Sequence, residues 1–359
     1  MEEKTILVGL SGGVDSAATA VLLKEQGYRV IGATMIIWDP SLPVPKNGHQ
    51  KNACLAPEKE DLCEIEAIVK KLDIDFVKVD CREEYKKTVL DNFRAEYSCG
   101  RTPNPCVLCT SLIKFGVLPA AAEKQGIKFD KFATGHYARV EYDEKTGKFL
   151  LKKATDASRD QSYFLHRLTQ AQLARVLFPL GDKTKPEIRE KAREAGLVVA
   201  DKEDSMDFYC GDYNDLLRFS NREGDMVTLD GKVIGKHQGI WNYTIGKRKG
   251  LGLSGFPEPM YVVKIDAEKN QVVVGPKSAL YSNTLRAENV SWVAGEPPAQ
   301  EFACEIKIRN LHVPAKARVR VENDGTFTAQ FEAPQISVTA GQSAVLYDGD
   351  IVLGGGIIV

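Results

Sequence analysis

Apolar and polar residues alternate from Thr5 to about Ala200 in a way that predicts strands and helices in turn. Apolar runs of strand length occur at Ile6–Leu10, Val30–Met35, Phe76–Val79 and Phe132–Thr134. Longer stretches with helical spacing occur among them, at Ser16–Gln26, Leu62–Leu72, Glu84–Tyr97 and Ser111–Gln125. Strands that alternate with helices are typical of βαβ units. The pattern therefore predicts a doubly wound α/β domain, a parallel sheet with helices on both faces.

The pattern changes after Met206. Residues 224–255 are rich in glycine and basic side chains, and from Val262 onward the chain contains runs such as YVVKID, AKARVRV and TFTAQFE. Many short segments that alternate with period two predict an all-β module, and we expect a small barrel. We place the domain boundaries at 1–206 for the α/β domain, 207–282 for a small central α+β domain and 283–359 for the C-terminal β-barrel.

Local signals refine the first domain. Thr184, Pro186 and Glu187 have the spacing of a capping box with proline in the first turn, which predicts a helix that ends near Gly196. Gly27 is expected to end the first helix as its C′ residue. The stretch Pro40–Pro57 carries four prolines and few apolar residues, so we expect a long mobile loop that is a lid or an insertion.

Composition excludes several classes. The 359 residues are 43% hydrophobic and 27% charged, which is typical of a soluble globular protein. No apolar run approaches the length of a membrane span. The apolar stretch in the first residues, MEEKTILVG, is too short for a signal peptide. We therefore expect a cytoplasmic protein. In that setting the eight cysteines favour metal ligands, reactive thiols or core positions over disulfides. The net charge of −1 implies that any basic nucleic-acid surface is local.

The stretch GLSGGVDS, residues 9–16, follows an apolar strand and predicts an anion site. Gly12 and Gly13 allow positive φ and leave their backbone N–H groups exposed. Ser11 and Ser16 add hydroxyl groups, and Ser16 is expected to cap the next helix. Backbone donors at a helix N-terminus bind phosphate. The lysine of the GxxxxGK[ST] loop is missing, and Asp15 stands there instead, which favours a magnesium-bound phosphate chain.

Three cysteines are candidates for chemistry. RTPNPCVLCT holds Cys106 and Cys109 just before a predicted helix, where we expect a lowered thiol pKa, and SMDFYCG holds Cys210. A CxxC pair by itself fits a metal site, a redox site or a structural position. Zinc requires a second close pair that the chain lacks, and a thioredoxin-type motif would follow the first strand. The remaining cysteines at 54, 63, 81 and 304 are expected to be small core residues.

Two basic groups are candidates for an RNA surface. Lys307 and Arg309 share one predicted strand face, and Lys316, Arg318 and Arg320 share another, with all five expected on the solvent side. A second group lies in glycine-rich backbone, at Lys232, Lys236, His237, Lys247, Arg248 and Lys249. Such side chains suit a phosphate backbone, but for the first group taken alone we favour a solvated barrel face.

In order along the chain, SGGVDS, GRTPNPCVLC, ATGHYAR, RDQSYFL, DSMDFYC, TIGKRKGLG and LGGGII closely resemble the motifs of the bacterial tRNA-specific 2-thiouridylases, in the PP-loop ATP pyrophosphatase superfamily. SGGxDS marks only the superfamily, whereas the full set is specific. The resemblance implies that 1–206 is the PP-loop catalytic domain and 207–282 a tRNA-binding domain. It implies a monomeric enzyme that uses ATP and Mg²⁺ to replace the 2-oxygen of the wobble uridine, in tRNAs for Lys, Glu and Gln, by sulfur.

The same resemblance assigns roles to individual residues. ATP would be held by Gly9, Leu10, Ser11, Gly12, Gly13, Val14, Asp15, Ser16, Met35 and Gly135, with Asp15 on magnesium. Cys109 would be the nucleophile and Cys210 the carrier of persulfide sulfur. The target uridine, flipped from its stack, would meet Asn104, Pro105 and Cys106. Other tRNA contacts would be made by His136, Arg159, Asp160, Gln161, Arg309, Asn310 and Gln342.

Cys106 departs from the family pattern, because many members have aspartate there. The departure leaves two sulfur routes open. Three thiolates of Cys106, Cys109 and Cys210 can hold a 4Fe–4S cluster with one open iron that binds free sulfide, and we favour this route. In the alternative, a cysteine desulfurase or sulfur-relay protein loads Cys210, which transfers its sulfur and forms a disulfide with Cys109.

Other classes of enzyme share the SGGxDS loop. GMP, NAD and argininosuccinate synthetases share the loop but have no need of the paired cysteines or the barrel. A cytidine-directed tRNA sulfur transferase carries two CxxC motifs, and this chain has one. Another PP-loop tRNA sulfur transferase, or an ATP-gated RNA-binding protein without thiolation activity, stays as the alternative.

Overall fold

The computed structural model describes residues 4–42, 53–56, 59–204 and 207–359. The strands and helices of its first part are, in chain order, β1 (Thr5–Gly9), α1 (Val14–Glu25), β2 (Arg29–Ile36), β3 (Ala53–Leu55), α2 (Lys59–Leu72), β4 (Asp75–Asp80), α3 (Arg82–Tyr85), α4 (Asp91–Ser98), α5 (Pro105–Leu108), α6 (Leu118–Lys124), β5 (Lys131–Ala133), β6 (Ala138–Asp143), β7 (Lys148–Lys153), α7 (Ser162–Leu165), α8 (Gln170–Leu173), β8 (Val176–Leu177), α9 (Lys185–Glu194) and β9 (Asp207–Tyr209). Two π-helical segments, Lys86–Leu90 and Cys109–Val117, join α3 to α4 and α5 to α6.

The predicted parallel sheet is confirmed, with strand order β4-β2-β1-β5-β8. Each neighbouring pair in it is parallel. The chain proceeds outward from β1 to β2 and β4, then returns to the other side of β1 with β5. In such sheets ligands bind beyond the carboxyl ends of the strands where the order reverses. The fold therefore places a candidate site between the ends of β1 and β5.

Helices cover both faces of this sheet, as predicted. Ile6 and Val8 of β1 pack in one cluster with Ile65 of α2, whereas Leu7 packs in another with Ile113 and Phe115. Successive side chains of a strand point to opposite faces. One face thus lies under α1 and α2, and the other lies under the helical stretch that carries Cys106 and Cys109.

That helical stretch corrects two expectations. It begins at Pro105, not at Ser111, and continues to Lys124 through the π-helical segment. The stretch is 20 residues long, and an 18-residue window within it has mean hydropathy 1.6, so it meets the length and composition criterion for a membrane span, although no such run was expected. Ile113 is fully buried in the core that includes Leu7, and a core helix meets the same criterion.

The local helix signals are confirmed. Gly27 follows α1 with φ of 81° and its N–H donates to the carbonyl oxygen of Lys24 at 2.9 Å. At the start of α9, Oε2 of Glu187 accepts from the backbone N–H of Thr184 at 2.6 Å and from its hydroxyl at 2.8 Å. Of the long loop predicted at Pro40–Pro57, residues 43–52 and 57 lie outside the described residues, and β3 forms within it.

The second part of the chain contains α10 (Tyr213–Leu217), β10 (Gly224–Thr228), β11 (Val233–His237), β12 (Tyr261–Asp266), β13 (Gln271–Gly275), β14 (Tyr281–Trp292), β15 (Glu301–Lys307), β16 (Ala315–Val321), β17 (Phe327–Ile336), β18 (Ser343–Asp348) and β19 (Ile351–Ile358). The first four of these strands form a sheet of order β11-β10-β13-β12.

The last six strands form the predicted barrel. Their order is β14-β17-β16-β15-β18-β19, and pairing of β14 with β19 closes the sheet. The hairpin of β6 and β7 extends this sheet, because Ile351 of β19 pairs with Lys152 of β7. The barrel is thereby joined to the first domain through a shared sheet.

Candidate active site

The glycine- and serine-rich loop lies directly after β1, as predicted. Gly12 has φ of 74°, a conformation that favours glycine, and Gly13 is the residue before α1. Ser16 was expected to cap this helix, which is wrong because α1 already begins at Val14. The Ser16 hydroxyl instead donates to the carbonyl oxygen of Gly13 at 3.0 Å and lies 3.2 Å from Oγ of Ser11.

Two adenosine-site candidates lie beside this loop. Leu10 is buried against Gly32 of β2, and its N–H donates to the carbonyl oxygen of Ala33 at 2.8 Å. Met35 is partly buried near the end of β2, the strand next to β1. Both residues therefore lie where the sheet topology places the ligand.

The Asp15 carboxylate, the predicted magnesium ligand, is fully engaged by protein groups. Nζ of Lys185 donates to Oδ1 at 2.7 Å and to Oδ2 at 2.8 Å, and the hydroxyl of Tyr137 donates to Oδ1 at 2.9 Å. Lys185 begins α9, and its side chain is only 6% exposed. The sequence reasoning named neither partner, because both reach Asp15 from far along the chain.

Lys185 also contacts a second acid. Its Nζ lies 2.6 Å from Oδ1 of Asp204, whose Oδ2 accepts from Nη1 of Arg159 at 2.7 Å. Burial opposes ionisation of Asp204, but hydrogen bonds and charges from Lys185 and Arg159 outweigh it and lower its pKa. Asp15, Lys185, Asp204 and Arg159 thus form one alternating chain of charges beside the loop.

Gly135 lies against the loop from the end of β5. A Cβ atom at this position would lie 2.7 Å from the backbone carbonyl carbon of Asp15 and 2.8 Å from the nitrogen of Ser16. Since real side chains do not approach backbone so closely, only glycine fits here without a shift. Gly135, which was predicted to line the adenosine site, therefore packs directly on the backbone of the loop.

His136 links this strand end to the cysteine helix. Its Nδ1 lies 2.8 Å from the hydroxyl of Thr134, and its ring centre lies 5.7 Å from that of Phe115. Burial, assisted by the positive charge of Lys114, lowers the pKa of His136 to about 3. The imidazole is therefore neutral at physiological pH.

Cys106 and Cys109 lie inside the helical stretch and not before it. Cys109 is buried and Cys106 partly buried. Burial raises the pKa of Cys109 to about 11 and that of Cys106 to about 12. The lowered pKa expected at a helix N-terminus is therefore wrong for this structure, since desolvation dominates. Both groups are thiols at neutral pH.

Lys114, five residues after Cys109, acts electrostatically on both thiols. A π-helix joins residues five apart by backbone hydrogen bonds, so Lys114 lies one turn after Cys109. Burial disfavours its charge, but Cys54, Cys109 and Cys106 outweigh that effect and raise its pKa. Lys114 in turn lowers the pKa of Cys106 and Cys109 against the effect of burial. Within the described ranges no carboxylate pairs with Lys114. Sequence reasoning missed this residue.

Cys210 reaches the site on a different element. It follows β9, which pairs with β3 in parallel, and its N–H donates to the carbonyl oxygen of Leu55 at 3.4 Å. Cys210 is buried, which raises its pKa. Cys54 of β3 is exposed, as is Cys63, so the prediction of core positions is wrong for these two and confirmed for Cys81.

The predicted cluster ligands do not form a ready-made metal site. Across residues 4–42, 53–56, 59–204 and 207–359, no three Cys, His, Asp or Glu side chains are grouped so that they could hold a metal ion. Cys106 and Cys109 share one helix, whereas Cys210 ends a separate strand. The arrangement shown keeps all three as free thiols.

The loop before Cys106 is attached to the barrel. The N–H of Thr102 donates to the carbonyl oxygen of Ala340 at 2.8 Å, and Nε2 of Gln342 donates to the carbonyl oxygen of Thr102 at 2.8 Å. The Asn104 side chain lies close enough to the hydroxyl of Tyr163 in α7 to influence its pKa, and Pro105 begins α5. The structure thereby brings together Gln342 and the predicted base-binding segment, although they are far apart in sequence.

The two basic strand faces of the barrel differ. Lys316, Arg318 and Arg320 are exposed on β16, as predicted. Lys307 is partly buried, and its Nζ lies 6.0 Å from the ring centre of Tyr163, so its predicted solvent position is wrong. Burial lowers the pKa of Lys307. The side chain of Lys307 thus lies against the first domain, since Tyr163 belongs to α7.

Arg309 and Asn310 follow β15 and are partly buried. Nη1 of Arg309 donates to the carbonyl oxygen of Ile336 at 3.3 Å, and its charge also acts on Tyr163. In the central domain, His237 is buried and bonded to Asn270, so it is not part of a basic surface.

Arg159, Asp160 and Gln161 have protein partners. Oδ1 of Asp160 accepts from the N–H of Ala154 at 3.1 Å, and its Oδ2 accepts from the hydroxyl of Ser162 at 2.9 Å. Oε1 of Gln161 accepts from the N–H of Tyr137 at 3.0 Å. Asp160 and Gln161 therefore hold the local backbone, including the tyrosine that contacts Asp15.

Comparison with known proteins gives one family along the whole chain. A family described as a tRNA methyl transferase HUP domain matches residues 4–210, a PRC-barrel domain of the same name matches 216–276, and an aminomethyltransferase beta-barrel domain matches 282–358. These descriptions refer to methyl transfer, whereas the full-length relatives have a different name.

Among those relatives, the tRNA-specific 2-thiouridylase MnmA of Endomicrobium trichonymphae is 53% identical over 358 residues, covering 99% of each chain. The protein of that name from Geobacter metallireducens is 44% identical over 363 residues, covering 99% of this chain and 96% of the relative. A solved 4-thiouridine synthetase–RNA complex with bound ATP aligns with TM-score 0.35 and 16% identity over 60% of this chain and 46% of that one. On the identity and coverage of the full-length relatives, the chain belongs to the family of tRNA-specific 2-thiouridylases.

Proposed function

We propose that the protein catalyses ATP-dependent 2-thiolation of the wobble uridine of tRNA. One observation carries the proposal: the end of β5 contacts both reactive elements. Gly135 lies against the backbone of Asp15 in the anion-binding loop, and His136 lies against Phe115 of the cysteine helix. A nucleotide at the loop is thus adjacent to the helix that carries the thiols.

The reaction has two steps. The 2-oxygen of the uridine attacks the α-phosphorus of ATP, the bond to the β-phosphate breaks and pyrophosphate leaves. Sulfur then attacks C2 of the adenylated base, the C2–O bond breaks and AMP leaves. A carbonyl oxygen is a poor leaving group, and its adenylation provides a good one, which explains why one site needs both ATP and thiols.

The loop residues Gly9–Ser16 would hold the phosphates, with Leu10, Met35 and Gly135 at the adenosine. The base would be held by Asn104, Pro105 and Cys106. The tRNA would be contacted by His136, Arg159, Asp160, Gln161, Arg309, Asn310 and Gln342. The contacts of Asp160 and Gln161 with the protein backbone favour positioning roles for these two side chains.

Magnesium suits the chemistry of Asp15, because carboxylate oxygens are ligands that Mg²⁺ prefers. A metal held by Asp15 and the phosphates of ATP would neutralise charge on the departing pyrophosphate. In the structure, both Asp15 oxygens accept hydrogen bonds from Lys185. A metal ion at Asp15 would therefore compete with Lys185 for this carboxylate.

For sulfur transfer we propose the persulfide relay, which reverses our preference from the sequence. The outer sulfur of a Cys210 persulfide attacks C2, and AMP leaves. Cys109 then loses its thiol proton to solvent and attacks the inner sulfur, which leaves the outer sulfur on the base and a Cys109–Cys210 disulfide for an external thiol to reduce. No step is assigned to a cluster, because Cys210 is not grouped with Cys106 and Cys109 as a metal site in the described residues.

The reaction implies its partners. A cysteine desulfurase or sulfur-relay protein would load Cys210, and tRNAs for Lys, Glu and Gln would be the acceptors. The family resemblance supports the further proposal that the enzyme acts in the cytoplasm as a monomer.

The alternative is an ATP-gated RNA-binding protein without thiolation activity. The test is pyrophosphate release from ATP with unmodified tRNA present, together with mass spectrometry of the tRNA nucleosides. The proposal expects tRNA-dependent pyrophosphate and 2-thiouridine once a sulfur donor is added. Binding of both substrates without either product would favour the alternative.

A further inference from the structure

The anion-binding loop lacks a lysine in sequence, but the fold supplies one. The usual phosphate loop GxxxxGK[ST] has lysine within it, and here that position is absent from GLSGGVDS. Lys185, 170 residues after Asp15, places its Nζ 2.7 and 2.8 Å from the two Asp15 oxygens. A distant helix therefore brings an ammonium group to the place where phosphates would bind.

Lys185 is held firmly. It occupies the first turn of α9, which is fixed by the contacts of Thr184 with Glu187. Ile188 and Ala192 of this helix are buried against Val14 and Ala17 of α1 in one apolar cluster. Because α1 itself begins at the loop, the two helices fix Lys185 and Asp15 relative to each other.

The ammonium group has no donor to spare. Lysine has three N–H groups, and three oxygens lie within 2.8 Å of Nζ, two from Asp15 and one from Asp204. Arg159 bonds the other oxygen of Asp204. Two acids are thus balanced by two bases, and a phosphate can be bound only if one of the present bonds is released.

The bonds to be released are those between Lys185 and the Asp15 carboxylate. Asp15 is the loop acid, and its oxygens suit Mg²⁺, whereas Asp204 has a second cation that holds it in place. When a magnesium-bound triphosphate enters, the metal can replace the ammonium group at Asp15. Lys185 is then free to turn to the phosphates while Asp204 retains it. The charge balance is preserved, since each anion keeps a cationic partner.

We propose that Lys185 is the phosphate-binding lysine of this site, and that it exchanges Asp15 for the departing pyrophosphate when Mg²⁺ binds Asp15. This inference rests on the proposed ATP-dependent function and names a further binding residue for it. Lys185 serves as the counter-ion of Asp15 before the nucleotide arrives and as a phosphate ligand afterward.

The first test uses the full-length protein and Mg²⁺ with pyrophosphate, and measures affinity by titration calorimetry. A charged hydrogen bond contributes enough that Lys185→Met should weaken binding roughly 10- to 100-fold, and Lys185→Arg should retain part of the affinity. The matched control is Lys183→Met, an exposed lysine two residues earlier, which should stay within about twofold of the wild type. Equal affinity of Lys185→Met and the wild type overturns the proposal.

A second variant tests the exchange while Lys185 stays in place. Asp15→Asn removes the competing carboxylate, so it should bind metal-free pyrophosphate at least as tightly as the wild type does without metal. Added Mg²⁺ should strengthen binding to the wild type but not to Asp15→Asn. Weaker metal-free binding by Asp15→Asn overturns the exchange, and this result does not depend on the folding of Lys185→Met.

The outcomes separate this inference from the proposed function. If the wild type thiolates tRNA and Lys185→Met binds pyrophosphate normally, the lysine assignment alone is wrong. If both pyrophosphate results hold but no thiolation occurs, the lysine assignment stands and the proposed reaction is wrong. Failure of the wild type to bind pyrophosphate with Mg²⁺ contradicts the lysine assignment as well.

Discussion

The side-chain amide of Gln342 donates a hydrogen bond to the backbone carbonyl oxygen of Thr102 at 2.8 Å, across 240 residues of sequence. This bond joins the barrel to the loop that leads into Asn104 and Cys106. A second bond, from the N–H of Thr102 to Ala340, lies beside it. The barrel therefore fixes the shape of the segment to which we assign the target base.

Gln342→Ala should weaken tRNA binding and leave nucleotide binding unchanged. A net hydrogen bond contributes about 0.5–1.5 kcal/mol, which corresponds to roughly 2- to 12-fold in affinity. The measurement is the dissociation constant for unmodified tRNA, with Gln330→Ala on an exposed barrel position as the control. Equal tRNA affinity of the two variants would show that the contact does not order the base-binding loop.

Removal of charge from Lys307 and Arg309 should reduce the salt dependence of tRNA binding. Each lost phosphate contact lowers the slope of log affinity against log salt by about one. The matched control is removal of charge from Lys316 and Arg318, which are exposed on the neighbouring strand β16. A larger loss of slope in the control pair would place the RNA on β16 instead.

Lys114→Met should make Cys109 less reactive near neutral pH. Lys114 lowers the pKa of this thiol against the effect of burial, so loss of its charge raises that pKa and moves the thiolate to higher pH. Site-resolved alkylation by iodoacetamide across a pH series measures the shift. Lys114→Arg should stay close to the wild type, and Lys124→Met, exposed at the end of the same helical stretch, is the control. An unchanged Cys109 profile in Lys114→Met would remove this role.

The sulfur route depends on Cys106. Cys109→Ser and Cys210→Ser should each stop 2-thiouridine formation while ATP and tRNA still bind. In the relay that we propose, Cys106→Asp should stay active, because Cys106 only lines the base pocket. The assay is anaerobic thiolation with parallel iron analysis, and the exposed Cys63→Ser is the control. Loss of iron together with activity in Cys106→Asp would instead support the cluster.

Local sequence signals located about half of this site. The glycine-rich loop, Asp15 and the CxxC pair each occupy a few consecutive residues, so their chemistry is visible without a fold. Lys185 was visible only as the first residue of a capped helix, because no local pattern records which helix packs on α1. Gln342 and Thr102 likewise meet only through the closed barrel.

Burial was the other property that the sequence did not reveal. The thiols of Cys106 and Cys109 were expected to have a lowered pKa at a helix N-terminus, but the helix begins before them and the core desolvates both. The same error placed Lys307 in solvent. Period-two alternation in the sequence separates the core face of a strand from its polar face. It does not show whether the polar face is turned toward water or toward another domain.

The most direct measurement of the central claim is a single-turnover reaction with unmodified tRNA, Mg²⁺, labelled ATP and enzyme whose Cys210 has been loaded with persulfide. The account predicts one pyrophosphate, one AMP and one 2-thiouridine at the wobble position for each enzyme, with a Cys109–Cys210 disulfide left behind. Release of pyrophosphate and AMP from a tRNA that gains no sulfur would contradict it.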